Sequence, residues 1–397
     1  MTGAAGGVAG PPRHDGDWEQ FTAIEGQAFA TSREATERYI AAVRDHAIAR
    51  FVFDADRVVA GALALPCNEI AGGRPVSAGA VASVCVAHEA RGRGLGRSVM
   101  SSLVAAMRGE GLALAPLWPS SVTFYRHLGW EIAGEVSAFA VPSRALRGPT
   151  ASGQAVRDPE LAEVRELRSA VAGRWCGPIE RPAWWWSWRQ PEPAPDLTYR
   201  YGWREAGRLT GFVAFRQERP TDRPWGFDIR VSDFWAATSG GLDGLNGLLA
   251  ANGSLSPVIH FDHGVLPTTP DLVWRVGELN VETTGTNAWM LKVLDPVGAL
   301  EQSGWPAHAD EHLTFAIEEP SGSTHHVTAE FAGGSAHATA GDSGRIRIGA
   351  GAFSAWFAGA IRAETAARLG FLDAGPDDVA TMDMLTAERR PWLPDTF

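Results

Sequence analysis

The sequence predicts an α+β protein of more than one domain, and three observations carry that expectation. The chain has 397 residues, which at about 150 residues per domain implies two or three domains. Strand-like apolar runs alternate with stretches of helical periodicity, in an order that occurs in the first third and is echoed in the second. Prolines and glycines collect between the two in "VPSRALRGPTASGQ" (141–154), a composition that marks a boundary.

Residues 17–46 read as one or two amphipathic helices, and "ARFVFDADRVVAGALALP" (49–66) reads as a hairpin of two β-rich runs around Asp54 to Arg57. The apolar "AVASVCV" (80–86) makes a buried strand. From Gly94 onward, Val99, Leu103, Ala106 and Met107 recur at helical spacing until Gly109 and Gly111 stop the helix. "LALAPLW" (112–118) is a further strand, followed by a short helix through "SSVTFYRHL" and by paired strands after Gly129. In the second third, the hairpin "LTYRYGWREAGRLTGFVAFRQ" (197–217), a strand at 225–235, a helix near 239–251 and the strand "SPVIHF" repeat this order. The repeat lacks an arginine-rich glycine turn and reads as a degenerate copy. A separate α+β unit begins near Asn287 with "WMLKVLDPVGAL", continues through "EHLTFAIEE" and "SGRIRIGAG", and carries the helix-like "AFSAWFAGAIRAETAARLGFL" (352–372). Prolines in the closing "RRPWLPDTF" exclude helix and keep the last residues extended.

Composition narrows the functional classes. A formal net charge of −11 argues against a nucleic-acid binder, because neutralising phosphates requires a basic surface. It suits a cationic small substrate or ordinary solubility. Cys67, Cys85 and Cys176 are odd in number and contain no CxxC pair, which points to a reducing, cytoplasmic setting. The opening "MTGAAGGVAGPPRHDGD" has no basic segment followed by an apolar core, so no secretory signal is expected and about the first dozen residues are expected to be disordered. No apolar run approaches the ~18 residues of a membrane span, and no membrane partner is expected.

The chemistry concentrates in "VCVAHEARGRGLGRSVM" (84–100). A strand delivers the chain to a turn whose glycines allow unusual dihedrals and close ligand approach, and the next helix presents free N–H groups. With the arginines and the helix dipole, this makes a pyrophosphate cradle; the plainer alternative is a flexible surface turn. A P-loop would need a lysine that is absent, and a dinucleotide-binding turn would not follow a hairpin. The region resembles the GNAT superfamily of N-acetyltransferases through the pattern Arg/Gln-x-x-Gly-x-Gly/Ala, occupied by Arg91, Gly94 and Gly96. The resemblance implies acetyl-CoA as cosubstrate, its pantetheine arm along Val84, Cys85 and Val86 and its phosphates on Gly92, Arg93, Gly94, Leu95, Gly96 and Arg97. Cys85 itself reads as a buried thiol rather than a nucleophile, since no histidine partner is evident.

"PSSVTFYRHLGWE" (119–131) resembles the Phe-Tyr-x-x-x-Gly-aromatic segment of the same superfamily. That likeness places Tyr125 where an acid reprotonates the departing thiolate; a phenol with a pKa of about 10 keeps its proton at pH 7. Ser120 and Ser121 either donate toward the thioester end of the cofactor or cap the helix. Over its whole length the chain resembles the Eis family of aminoglycoside acetyltransferases, through "RPAWWWSWR" (181–189), "MLKVLD" and the terminal Phe397. This resemblance implies an active GNAT domain at 1–148, a degenerate GNAT-like domain at 149–285 and a sterol-carrier-protein-like domain at 286–397. It also implies the α-carboxylate of Phe397 as general base, and homohexamers. Thr396 precedes that terminus, with the nearest acid, Asp395, one place further back.

The expected activity is direct transfer of acetyl from acetyl-CoA to an amine of a cationic small molecule, aminoglycoside-like. Acylation of protein lysine or of another acceptor is one alternative, and a lipid-binding scaffold acting through the third domain is another. Glu25 on the first helix faces either a polyamine or solvent. "HFDH" (260–263) supplies too few ligands for a metal site, and none is expected. The pair His325-His326 reads as an exposed turn, and Trp184, Trp185, Trp186 and Trp188 as packing at a domain or subunit boundary.

Overall fold

A computed structural model describes residues 9–146, 152–190, 195–221, 223–267 and 271–397. The expected boundary at 148/149 and the first eight of the N-terminal residues expected to be disordered lie outside the described residues. Contacts divide the chain into two units: Met1–Ala133 with Trp289–Arg389 and Phe397, and Gly134–Ala288 with Arg390–Thr396.

In the first unit, α1 (Asp15–Phe29) and α2 (Arg33–Val43) occupy the stretch that the sequence gives to helices, with the Ser32 hydroxyl capping α2 by accepting from Ala35 N. Trp18 and Phe21 of α1 pack on Phe51, the Phe21 and Phe51 rings stacking at 4.6 Å. The expected hairpin is β1 (Ile48–Asp54) and β2 (Arg57–Ala71), closed at Asp54↔Arg57. β2 and β3 (Arg74–Val86) run well past their apolar stretches, because the more polar "CNEI" and "RPVSA" continue the pairing to Ala71↔Arg74. The helix α3 (Leu95–Gly109) buries Leu95, Val99, Leu103 and Met107 on one face, each contributing about 1.5–3 kcal/mol. β4 (Leu114–Leu117) lies parallel to β3, and α4 (Val122–Arg126) follows. The paired strands expected after Gly129 are one strand instead, β5 (Glu131–Pro142): the segment contains no turn and keeps one extended run.

The second unit holds two helices that periodicity did not reveal, α5 (Leu161–Ala172) and α6 (Ala183–Arg189). The hairpin β6 (Thr198–Glu205) and β7 (Arg208–Glu218), the strand β8 (Asp228–Ala236), the helix α7 (Ser239–Ala250) and the strand β9 (Val258–Leu266) follow where the repeat placed them. β8 and β9 are parallel, and β9 pairs antiparallel with β5 through Phe261↔Phe139. After the short α8 (Asp271–Val276) the chain enters β10 (Glu282–Val293), whose end pairs with β4 at Met290↔Leu117 in the first unit.

Within this unit the tail 390–396 is tied down. Cys176 N donates to Arg390 O at 2.9 Å, Trp392 N to Cys176 O at 2.8 Å, and Trp392 Nε1 to Gly264 O at 2.8 Å. Asp395 is fully buried and accepts from Arg168 Nη2 at 2.7 Å, Arg181 Nε at 2.6 Å and Ile179 N at 2.9 Å. Arg181 also reaches Asp233 Oδ2 at 2.9 Å and lies over the Trp186 ring at 4.8 Å. Trp185 and Trp186 are thereby interior residues of this unit. Burial alone would raise the Asp395 pKa, but the two guanidinium groups outweigh it and hold the carboxyl below its usual range.

The remaining part of the first unit contains α9 (Pro296–Gln302), the antiparallel strands β11 (Asp310–Glu318), β12 (Thr324–Ala332) and β13 (Ser335–Ala340), and β14 (Ile346–Gly349) parallel to β11. His325 and His326 are half-buried strand residues rather than an exposed turn, held by pairing with Ile317 and Ala316. The long helix expected at 352–372 is broken into α10 (Ala350–Ala358) and α11 (Ala363–Arg368), before the closing α12 (Pro376–Thr386). Gly359 ends α10 at φ +82°, and a Cβ there would stand 2.5 Å from Arg389 Cβ. Gly370 shares the positive φ, at +76°, but faces open space. Gly359→Ala should therefore lower the thermal midpoint more than Gly370→Ala, which carries only a backbone cost of about 1–3 kcal/mol; paired melts of the two variants measure the difference.

Candidate active site

The site starts from a defect in β3. Opposite β2, Leu63 pairs with Ala82 and Gly61 with Cys85, so β3 carries one extra residue, and Ser83 adopts φ +51°. A bulge of this kind bends its strand and interrupts the ladder. β3 and β4 remain paired at Val81↔Leu117, where β4 ends, while β3 continues to Val86. Beyond that point Val84 and Val86 are half-buried and Cys85 is buried.

The Arg-Gly turn follows. Gly92 and Gly94 both take φ +77°, and a Cβ on either would meet no atom within 4 Å, so the space in front of the turn is open. Arg91, Arg93 and Arg97 are exposed around it. Arg93 Nη1 is 3.1 Å from Asp54 Oδ2, and Arg91 Nε donates to Val86 O at 3.4 Å. Arg97 N and Ser98 N turn back to Gly94 O at 3.1 and 3.2 Å. Leu95 and Gly96 begin α3, where N–H groups have no acceptor within the helix. At Gly96 the sequence-predicted segments converge: a Cβ there would lie 3.4 Å from Phe124 Cζ and 3.9 Å from Val86 Cγ2. These features fit a ligand that carries phosphate at the turn and an extended arm along Val84–Val86.

Tyr125 sits on α4, buried and packed edge-on against Phe124 at 5.0 Å and Trp130 at 6.1 Å. Trp130 is itself fixed by Nε1 donating to Ala115 O at 2.8 Å. Burial pushes the Tyr125 pKa up to about 12, with Cys85 adding to the rise and a hydrogen bond to Ser120 opposing it. Ser121 is the N-cap of α4, accepting from Phe124 N at 3.3 Å, while Ser120 is exposed beside the tyrosine. The Cys85 thiol is pushed above its ordinary value by burial, with Glu25 contributing. The residue keeps its proton, as a buried structural thiol does.

Glu25, which the sequence left facing either a polyamine or solvent, is an interior residue. It is only 7 % exposed, not solvated, because α2 covers that side of α1: its carboxyl contacts Thr36 and Ser83, and Oε2 has no partner among the described residues. Burial raises its pKa. The bulge residue Ser83 links this acid to Tyr39, donating to the phenol oxygen at 3.4 Å. Glu25 and Ser83 thus lie together near Cys85. The signal available in the sequence was Glu25 on the inner turn of a helix whose Phe21 and Trp18 are core residues. Phe397 belongs to the first unit, although residues 390–396 belong to the second.

Residues 12–133 match the family model of an acetyltransferase (GNAT) domain, residues 177–293 a second acetyltransferase (GNAT) domain model, and residues 296–394 a sterol carrier protein domain. The architecture is therefore two tandem GNAT domains followed by a sterol-carrier-protein-like α+β domain, an arrangement of the acetyltransferase class. An uncharacterized N-acetyltransferase of Streptomyces griseus is 28% identical over 176 residues, 40% of this chain; the chain spans 41% of the length of that curated relative. Over nearly the full lengths of both chains the fold matches a GCN5-related N-acetyltransferase from Anabaena variabilis, with a TM-score of 0.88, 20% identity and coverage of 97% and 98%. The corresponding protein of Kribbella flavida gives 0.83 at 21% identity, covering 98% and 99%, and Eis1 from Mycobacterium abscessus gives 0.78 at 18%, also covering 98% and 99%.

Gly94→Val forces a β-branched residue into positive φ at the open face of the turn, and Arg93→Glu reverses a charge there. Each should weaken CoA binding at least tenfold in calorimetry, while Cys85→Ala should leave it within about threefold, since a buried thiol makes no phosphate contact.

Proposed function

We propose that the chain is an acetyl-CoA-dependent N-acetyltransferase of the Eis type that acetylates a cationic, aminoglycoside-like amine in the cytoplasm. The observation that carries this reading is the convergence at Gly96 of the Arg-Gly turn, the strand end Val84–Val86 and the helix bearing the buried Tyr125. The net charge of −11 supports a cationic acceptor. Among the described residues no helix is long and apolar enough to cross a membrane. Homohexameric assembly rests on the Eis resemblance alone.

Gly92, Arg93, Gly94, Leu95, Gly96 and Arg97 would hold the pyrophosphate, and Val84, Cys85 and Val86 the pantetheine arm. Bound acetyl-CoA would supply the thioester carbonyl that the amine attacks and the thiolate that leaves. Tyr125 holds the proton that thiolate needs: with its pKa raised to about 12 by burial, the phenol stays protonated throughout the neutral and mildly alkaline range. The high pKa of Cys85 favours direct attack by the amine over an acetyl-cysteine relay. The proton released by the amine goes to a carboxylate, in our reading that of Phe397. The exposed Ser120 and the capping Ser121 stand at the entrance to α4, beside the thioester end of the proposed path.

Tyr125→Phe should lower kcat by about 10² or more with little change in cofactor affinity, in the range usual for loss of a general acid. Rates within about threefold of the parent protein would reduce Tyr125 to a packing residue. Because the raised pKa keeps the proton on the phenol, the wild-type rate should show no Tyr125-linked fall between about pH 7 and pH 10; a pH profile of thiol release reads this directly. For the base, extension beyond Phe397 should silence acetylation while an N-terminal tag and Phe397→Leu retain more activity. Full activity of the extended chain would move the base assignment to Glu25 and the other acids of the first domain.

A further inference from the structure

The second unit repeats the parting of parallel strands on which the first builds its site. β8 and β9 are paired through Val231↔Phe261; then β8 runs on to Ala236, while β9 next pairs with β5 at Leu266↔Ser137. A cavity of about 490 Å³ lies beside this parting, with Val171, Phe234, Leu242, Phe261, Leu266 and Trp392 forming its apolar body. Its charged groups are all cationic: Arg174 just after α5, Arg275 on α8 and Arg390 on the tail. Arg275 is paired with Asp243 Oδ2 at 3.0 Å, whereas Arg174 and Arg390 have no acidic partner among the described residues.

The place equivalent to the phosphate-binding turn is closed here by the protein's own anion. The Glu205 carboxylate accepts from Thr238 Oγ1 at 2.6 Å and Thr210 Oγ1 at 2.7 Å, and a Cβ on Gly240 in the first turn of α7 would collide with it. Thr238 in turn accepts from Gly241 N at 2.9 Å. The dipole of α7 and its free donors are therefore already matched to a carboxylate. A pyrophosphate at that point would meet Glu205 at close range, which excludes a CoA-like ligand and leaves the arginines at the cavity to bind a smaller head group.

We propose that this cavity binds a fatty-acid-type amphiphile, its carboxylate on Arg174 and Arg390 and its apolar body along the β8–β9 parting. The guanidinium fork matches a planar carboxylate in two-point contact. The volume lies in the range of about 300–1,000 Å³ that accommodates small molecules. The site is independent of the transferase chemistry proposed for the first domain.

Titration of the full-length protein with dodecanoate, followed by calorimetry and by the emission of Trp175 and Trp392 in the cavity wall, tests the assignment. One saturable site is expected. Arg174→Glu and Arg390→Glu are surface changes that leave the fold intact by circular dichroism, and each should weaken binding at least tenfold. Leu242→Trp, which fills the cavity, should do the same, and dodecanol should bind at least tenfold more weakly than dodecanoate. Absence of saturable binding would overturn the proposal. So would binding that survives both arginine variants, which would place the ligand elsewhere in the chain, for instance in the sterol-carrier-like domain. Equal affinity for dodecanol would remove the head-group assignment.

Discussion

The extra residue in β3 is the constraint from which the first site follows. A strand that kept perfect register with β2 would keep its ladder continuous and its face flat. With Ser83 at φ +51° the strand turns, and β4 ends opposite Val81. Val84–Val86 then run on past the end of β4. The same bend aims the chain at the Arg-Gly turn and seats Cys85 beside Glu25, whose buried carboxyl is reached by the bulge residue itself.

The second domain shows how the same geometry is turned to another end. Its strands also part, but Glu205 occupies the helix N-terminus that the first domain leaves open. The difference is one of charge placement rather than of topology. Where the first domain has arginines on the turn, the second has an acid there and brings its arginines from α8, from the residues after α5 and from the tail. An inward carboxylate satisfied by two threonines makes the helix end self-sufficient, so the fold persists without a phosphate ligand.

The tail is held by ionic groups rather than by a regular element. Asp395 has three donors around it, and two of them are buried arginines that lie on tryptophan rings. Removing water from such charges is costly, and the arrangement is tolerable because both carboxylate oxygens of Asp395 are hydrogen-bonded. The result is geometric definition for an extended segment that prolines keep out of helix. Thr396 is bonded by Arg189 Nη1 at 2.8 Å.

Periodicity and turn chemistry in the sequence determined most elements of both GNAT domains and the position of α3 after Gly94, because these are local properties of spacing and backbone freedom, whereas Tyr125 was singled out by a family resemblance. Periodicity failed where long-range packing decides. The long helix expected at 352–372 breaks at Gly359 because Arg389, thirty residues on, needs the room. His325 and His326 are strand residues because β11 lies alongside them. Glu25 is interior because α2 covers it, and Glu205 closes the second helix end only once β6 and α7 are packed together. Hydrophobic spacing specifies which face of an element seeks the core. Which charge meets which helix end, and which acid is left without water, depends on partners distant in sequence, so only the tertiary structure could decide it.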